Sequence, residues 1–183
     1  QPIAEIAALA HAAGALLHTD AAQTVGKVPV HVDALGADLL SVAGHKFYAP
    51  KGVGALYVRR GVPLAKFMHG AGHEVGRRAS TENLLGIVAL GEACRLVTEH
   101  LAEYAAHLGA LRDRLWAGVS GQAGDLRRHG HPQACLPNTL SVGFRGLDAT
   151  DLLAELYDDV AASAGSACHA NEVTISPVLA AMG

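Results

Sequence analysis

No apolar run in this chain approaches the ~20 residues that span a bilayer, and its first residues lack a basic stretch leading into a hydrophobic one. A soluble, cytoplasmic protein is expected. Basic excess is missing too: the net charge is −3 over 183 residues, which gives no electrostatic footprint for nucleic acid or an anionic membrane. Cysteine is scarce and odd in number. Cys94, Cys135 and Cys168 have no metal-binding spacing and cannot complete a disulfide framework, so reduced thiols are expected. Repeats and low-complexity segments are also absent. Histidine is more plentiful, 11 in all, and His69-Gly70-Ala71-Gly72-His73 is the best local metal candidate. Glycines between the two imidazoles make a floppy loop with no third ligand in reach along the sequence, which argues against a metal there.

What is present is apolar patterning, with 50% of residues hydrophobic. Two stretches organise the rest. Leu39 to Ala43 is an apolar run of strand length that breaks at Gly44 and presents His45 and Lys46 where a buried strand would end. Upstream, Ala15 to Thr19 forms another short apolar strand, ending on Asp20 and followed by Gln23. Taken singly, such a lysine is most often solvated and such an aspartate most often a helix cap. Two parallel strands would set Asp20 and Lys46 on the same rim, and ligands of open α/β sheets collect at the carboxyl ends of strands. A fixed anion and an amine on that rim point to a polar cofactor.

The remaining pattern frames those two stretches. Pro2 opens a helix with Ile3, Ile6, Ala7 and Ala10 on one face, ending near Gly14. Gly26 to Asp33 reads as a loop, and Ala55 to Arg59 as a further strand of unreadable direction. Alternating helix and apolar strand predicts an α/β fold with a mainly parallel sheet. Val62 to Ser80 has no periodicity. Helix resumes near Thr81-Glu82-Asn83 and extends to about Trp116, with Leu101, Tyr104, Leu108, Leu111 and Leu115 forming a stripe expected to be core. Cys94 is expected to pack on this helix. A domain boundary is placed near Thr98, and the remainder of the chain reads as α+β. Thr139 to Phe144 is a strand, Asp148 caps a helix through Tyr157, Val160 to Ser163 is a strand, and Ser176-Pro177 starts a final helix.

Together His18-Thr19-Asp20-Ala21-Ala22-Gln23, Gly44-His45-Lys46 and Ser163-Ala164-Gly165-Ser166-Ala167-Cys168 resemble, in order and separation, the cysteine desulfurases. These are pyridoxal-phosphate enzymes of the class V aminotransferase group. The resemblance covers essentially the whole chain and implies a fold-type I enzyme. Residues 1–97 would be the C-terminal portion of the large domain, and 98–183 a truncated small domain carrying the catalytic cysteine loop. It implies that the family's ring-stacking histidine and phosphate loop precede residue 1, and that its substrate-carboxylate arginine follows residue 183. Ala55 to Arg59 would run antiparallel.

By the same resemblance Lys46 would hold the aldehyde of pyridoxal 5'-phosphate and move protons at the substrate's α carbon. Asp20 would pair with the ring nitrogen, Gln23 with the phenolic oxygen, and His45 with the phosphate. Thr81 would reach the phosphate of the other subunit in a homodimer; its plainer use is a helix N-cap. Cys168, in a loop of small residues beside His169, would take sulfur from L-cysteine, leave L-alanine, and pass the sulfur to an acceptor protein, as in iron-sulfur cluster biogenesis. Ala43 departs from the pattern, since many members carry a hydroxyl three places before the lysine. Selenocysteine lyase shares the apolar residue there and is the nearest alternative. A fragment keeping only a folding core or a partner surface is the other.

Overall fold

A computed structural model describes residues 1–165 and 176–182. It divides into two compact units, Gln1–Gly109 and Ala110–Gly183, and the boundary expected near Thr98 and the observed division both fall inside one helix. In the first unit α1 (Ile3–Ala12) precedes β1 (His18–Asp20), α2 (Val32–Leu35) and β2 (Leu39–Ala43). A 3-10 turn, Gly44–Phe47, leads to β3 (Gly54–Val58) and then to α3 (Leu84–Gln122).

The sheet runs β1-β2-β3. β1 lies parallel to β2, with His18 opposite Leu39 and Asp20 opposite Ser41, while β3 returns antiparallel, with Leu39 opposite Val58 and Ala43 opposite Gly54. One parallel and one antiparallel pair make it mixed, and β3 takes the direction that the family resemblance implies. β1 is shorter than the apolar run beginning at Ala15, because only its last three residues pair with β2.

A buried carboxylate ties the amino ends of these strands together. Asp38 accepts from the Leu17 amide and from His11 Nε2, each at 2.8 Å, so α1 and the approach to β1 are both bound to the start of β2. The Leu17 amide first, and His11 after it, hold the Asp38 carboxyl below the usual carboxylate range. Arg59, just beyond β3, donates to the Ala37 and Val32 carbonyls and to Asp33 Oδ1. Charge at this edge is committed to structure.

Helix α3 is longer than its sequence pattern suggests, 39 residues without a break, or about 58 Å at 1.5 Å per residue. Its cap is Asn83, whose Oδ1 accepts from the Gly86 amide at 3.1 Å, so Thr81 does not serve as the N-cap. The stripe expected to be core is largely open: Tyr104 is 41%, Leu111 46% and Leu115 57% exposed, with Leu101 and Leu108 only half-buried. Cys94, expected to be packed, is exposed as well. Periodicity marks a face able to be buried without supplying anything to bury it.

The second unit holds β4 (Leu126–Arg128) paired antiparallel with β5 (Val142–Phe144), followed by α4 (Ala149–Glu155) and α5 (Pro177–Met182). Asp148 caps α4 as expected, Oδ1 accepting from the Thr150 and Asp151 amides, and Ser176 Oγ accepts from Leu179 at the start of α5. Val160 to Ser163, expected to be a strand, is irregular and exposed, because no neighbouring strand pairs with it among the described residues. β4 gives no sequence signal: Leu-Arg-Arg has neither alternation nor an apolar run.

Candidate active site

Two loops leave the sheet at the carboxyl ends of the parallel pair. After Asp20 the chain winds into a helical turn, Thr24 and Val25 donating to the Ala21 carbonyl at 2.9 and 3.0 Å. Asp20 Oδ1 caps it by accepting from the Ala22 amide at 2.8 Å. That leaves the other oxygen of an exposed carboxylate free of protein partners among the described residues. Gln23 stands exposed on the same turn. The capping role is therefore real, and it engages only one of the two carboxylate oxygens.

The second loop follows Ala43. Gly44 donates to the Val53 carbonyl at 3.0 Å and accepts from the Ala49 amide at 3.1 Å, closing the 3-10 turn over its own start. Glycine is required here by space: a Cβ would lie 2.8 Å from the Val53 oxygen and 3.0 Å from Ala49 Cβ. The turn ends at Tyr48 with φ 72°, and it sorts its side chains. Phe47 is only 2% exposed, while His45 and Lys46 stand in solvent. Neither makes a side-chain hydrogen bond among the described residues.

Phe47 anchors this presentation. It forms a buried cluster with Ala49 and Ala93, surrounded by Val25, Val42, Val53, Leu90 and Val97, so both loops and α3 meet beneath the exposed residues. Phe47→Ala is expected to lower stability by about 3 kcal/mol, the lower end of the cost of emptying a buried aromatic site. Urea denaturation of the whole protein checks this. A loss under about 1 kcal/mol would mean that the turn is held elsewhere.

The sequence matches the Aminotransferase class-V family over residues 1–182. The chain belongs to that family. This class V aminotransferase family member is 46% identical over 182 residues to the cysteine desulfurase of Gluconacetobacter diazotrophicus, covering 99% of this chain and 46% of that protein. It is 43% identical over 183 residues to cysteine desulfurase 2 of Trichormus variabilis, covering all of this chain and 46% of the relative. The chain thus spans about half the length of the curated relatives it matches. Among solved structures, a NifS-like protein from Rickettsia africae superposes with a TM-score of 0.83 at 29% identity, covering 91% of this chain and 46% of that one. DndA from Streptomyces lividans superposes with 0.74 at 36% identity, covering 86% and 45%. The α/β fold is that of the fold-type I enzymes.

Within this class V aminotransferase frame, Asp20 ends β1, and Gln23, His45 and Lys46 lie in the loops that follow two adjacent parallel strands. Thr81 lies exposed in the irregular segment before α3, and no hydrogen bond joins it to those residues. Cys168 and His169 lie outside the described residues. Of the other thiols, Cys135 Sγ accepts from Arg112 Nη1 at 3.3 Å and lies 3.8 Å from Arg128 Nη2, so it sits among cations. One residue at the loops carries no signal in the sequence. Lys27 reads as a solvated loop lysine, yet it is buried and donates to the Lys46 carbonyl at 2.8 Å.

Proposed function

We propose that the whole protein is a pyridoxal 5'-phosphate-dependent cysteine desulfurase, converting L-cysteine to L-alanine and leaving the sulfur as a persulfide on Cys168. One observation carries this reading: an exposed carboxylate, Asp20, and an exposed amine, Lys46, lie at the carboxyl ends of neighbouring parallel strands with polar atoms uncommitted to the protein among the described residues. The names of the relatives support it. The donor set fits the cofactor's chemistry, since an acceptor carboxylate, an amide, an imidazole and a free amine are what its ring nitrogen, phenolic oxygen, phosphate and aldehyde require.

In this proposal Asp20 accepts from the ring nitrogen, Gln23 donates to the phenolic oxygen, and His45 meets the phosphate. Thr81 of one subunit serves the phosphate of the other, which makes the working unit a homodimer. Ala43 adds no hydroxyl to the phosphate site. When bound, the cofactor supplies an electron-accepting ring that stabilises negative charge at the substrate's α carbon. Lys46 holds the cofactor and moves the proton at that carbon. The Cys168 thiolate attacks the substrate sulfur, and the carbon–sulfur bond breaks with its electron pair going to carbon. That carbon takes a proton to give alanine. One thiol and one cysteine thus become one persulfide and one alanine, with no further oxidant. The sulfur then passes to an acceptor protein in the cytoplasm. Residues 1–97 serve as the C-terminal part of the cofactor domain and 98–183 as part of a small domain carrying the Cys168 loop.

Selenocysteine lyase is the second reading, favoured by Ala43 and by Thr81-Glu82-Asn83. Incubation of the whole protein and pyridoxal 5'-phosphate with each substrate separates the two. Alanine released from L-cysteine is the expected result, and release from L-selenocysteine alone would replace the reading by the lyase. No alanine from either would leave a chain that keeps the fold without the chemistry.

A further inference from the structure

Besides the packing of Val25 against the Phe47 cluster, the two loops meet at Gly26 and at Lys27. At Gly26 the backbone has φ +82° and lies so close to the second loop that a Cβ would come within 2.8 Å of Phe47 Cβ. One residue later Lys27 turns inward. It is 9% exposed, and its ammonium donates to the Lys46 carbonyl at 2.8 Å. A side chain from the loop that carries Asp20 and Gln23 therefore grips the backbone of Lys46 itself.

This arrangement is costly for stability. Among the described residues no carboxylate pairs with Lys27 within 4.0 Å, so a largely desolvated cation has a neutral carbonyl as its hydrogen-bond partner. Burial first, and the nearby charge of Lys46 second, lower its pKa from the ordinary lysine value. An apolar side chain of similar length would fill the same space without that cost. Groups held under such conditions concentrate where they serve a site.

We infer that Lys27 is a positioning residue for Lys46, its ammonium locking the 3-10 turn to the Asp20 loop so that the Lys46 amine is presented at a fixed place relative to Asp20. The inference rests on the reading of Lys46 as the amine that takes the cofactor. Gly26 is part of the same device: its positive φ and missing side chain let the loop approach closely enough for the ammonium to reach.

The test uses the whole protein with Lys27→Met, which keeps length and burial without charge, and Lys27→Arg, which keeps a donor. Amide exchange of the segment Gly44 to Ala49 reports the clamp without cofactor. Covalent labelling of Lys46 by pyridoxal 5'-phosphate, trapped with borohydride and read by peptide mass, reports its consequence. Lys27→Met is expected to speed exchange and slow labelling by about tenfold each, the scale of a lost hydrogen bond from a charged donor. Lys27→Arg is expected to return both to within about threefold of the parent. A residue that only supports the fold would lower the melting temperature and leave labelling of the folded protein unchanged, which would overturn the inference, as would parent-like exchange in Lys27→Met. Should Lys27→Met fail to fold, Lys27→Arg decides, and slow labelling by the folded arginine variant counts against the clamp. Labelling of the parent at a lysine other than Lys46 would instead refute the reading beneath the inference, while the exchange result would still judge the contact.

Discussion

Lys46→Ala in the whole protein is expected to remove the visible absorbance band of the bound cofactor after dialysis and to cut alanine release by about 10²–10⁴-fold, the range supplied by a positioned acid–base group. The structure makes this a clean experiment. Lys46 is exposed on its turn and its amine makes no hydrogen bond among the described residues, while Gly44 and Phe47 set the turn's shape. Truncation therefore leaves the core untouched and should change stability by no more than about 0.5 kcal/mol, as for ordinary surface positions. The bond from Lys27 goes to the Lys46 backbone and survives the substitution. A band that persists in the variant, with a reducible link mapped to another lysine, would show that the amine has been assigned wrongly.

Cys168→Ser is expected to keep cofactor binding and lose sulfur transfer, giving almost no persulfide or alanine from L-cysteine. A hydroxyl at neutral pH is not a nucleophile of thiolate strength, and the steps before sulfur transfer belong to Lys46 and the cofactor. Cys168 lies outside the described residues, so the expectation rests on its small-residue sequence, on His169 beside it, and on the family resemblance. The other two thiols sharpen the test. Cys94 is exposed on α3 instead of packed, and Cys135 sits beside the Arg112 and Arg128 guanidiniums, so burial removes neither from contention. Mass analysis after a single turnover decides between the three. Persulfide found mainly on Cys94 or Cys135, or undiminished alanine release from the serine variant, would defeat the assignment.

Local patterns were readable where a few neighbouring residues decide the outcome. Asp148 and Ser176 cap their helices as their positions predict, and a glycine after an apolar run marks the end of β2. Patterns failed where a distant partner is needed. Val160 to Ser163 is a short run expected to be a strand and has no strand beside it among the described residues, β4 pairs with β5 despite two arginines, and the Leu101 to Leu115 stripe has helical period without full cover.

The same division runs through the candidate site. The sequence alone determined that Asp20 ends one strand and that Gly44 breaks another just before His45 and Lys46, because strand ends and glycine breaks follow from short-range sterics and hydrophobic period. It also carried the family, through spacings that persist in the residues themselves. It took the folded chain to show that β1 and β2 lie adjacent and parallel, that one Asp20 oxygen is left uncommitted among the described residues, and that Lys27 is drawn under the Lys46 carbonyl. A lysine's long stem gives no local sign of where its charge will rest. That depends on Phe47 and the apolar residues of α3 pulling two loops together, a contact between segments far apart in the chain.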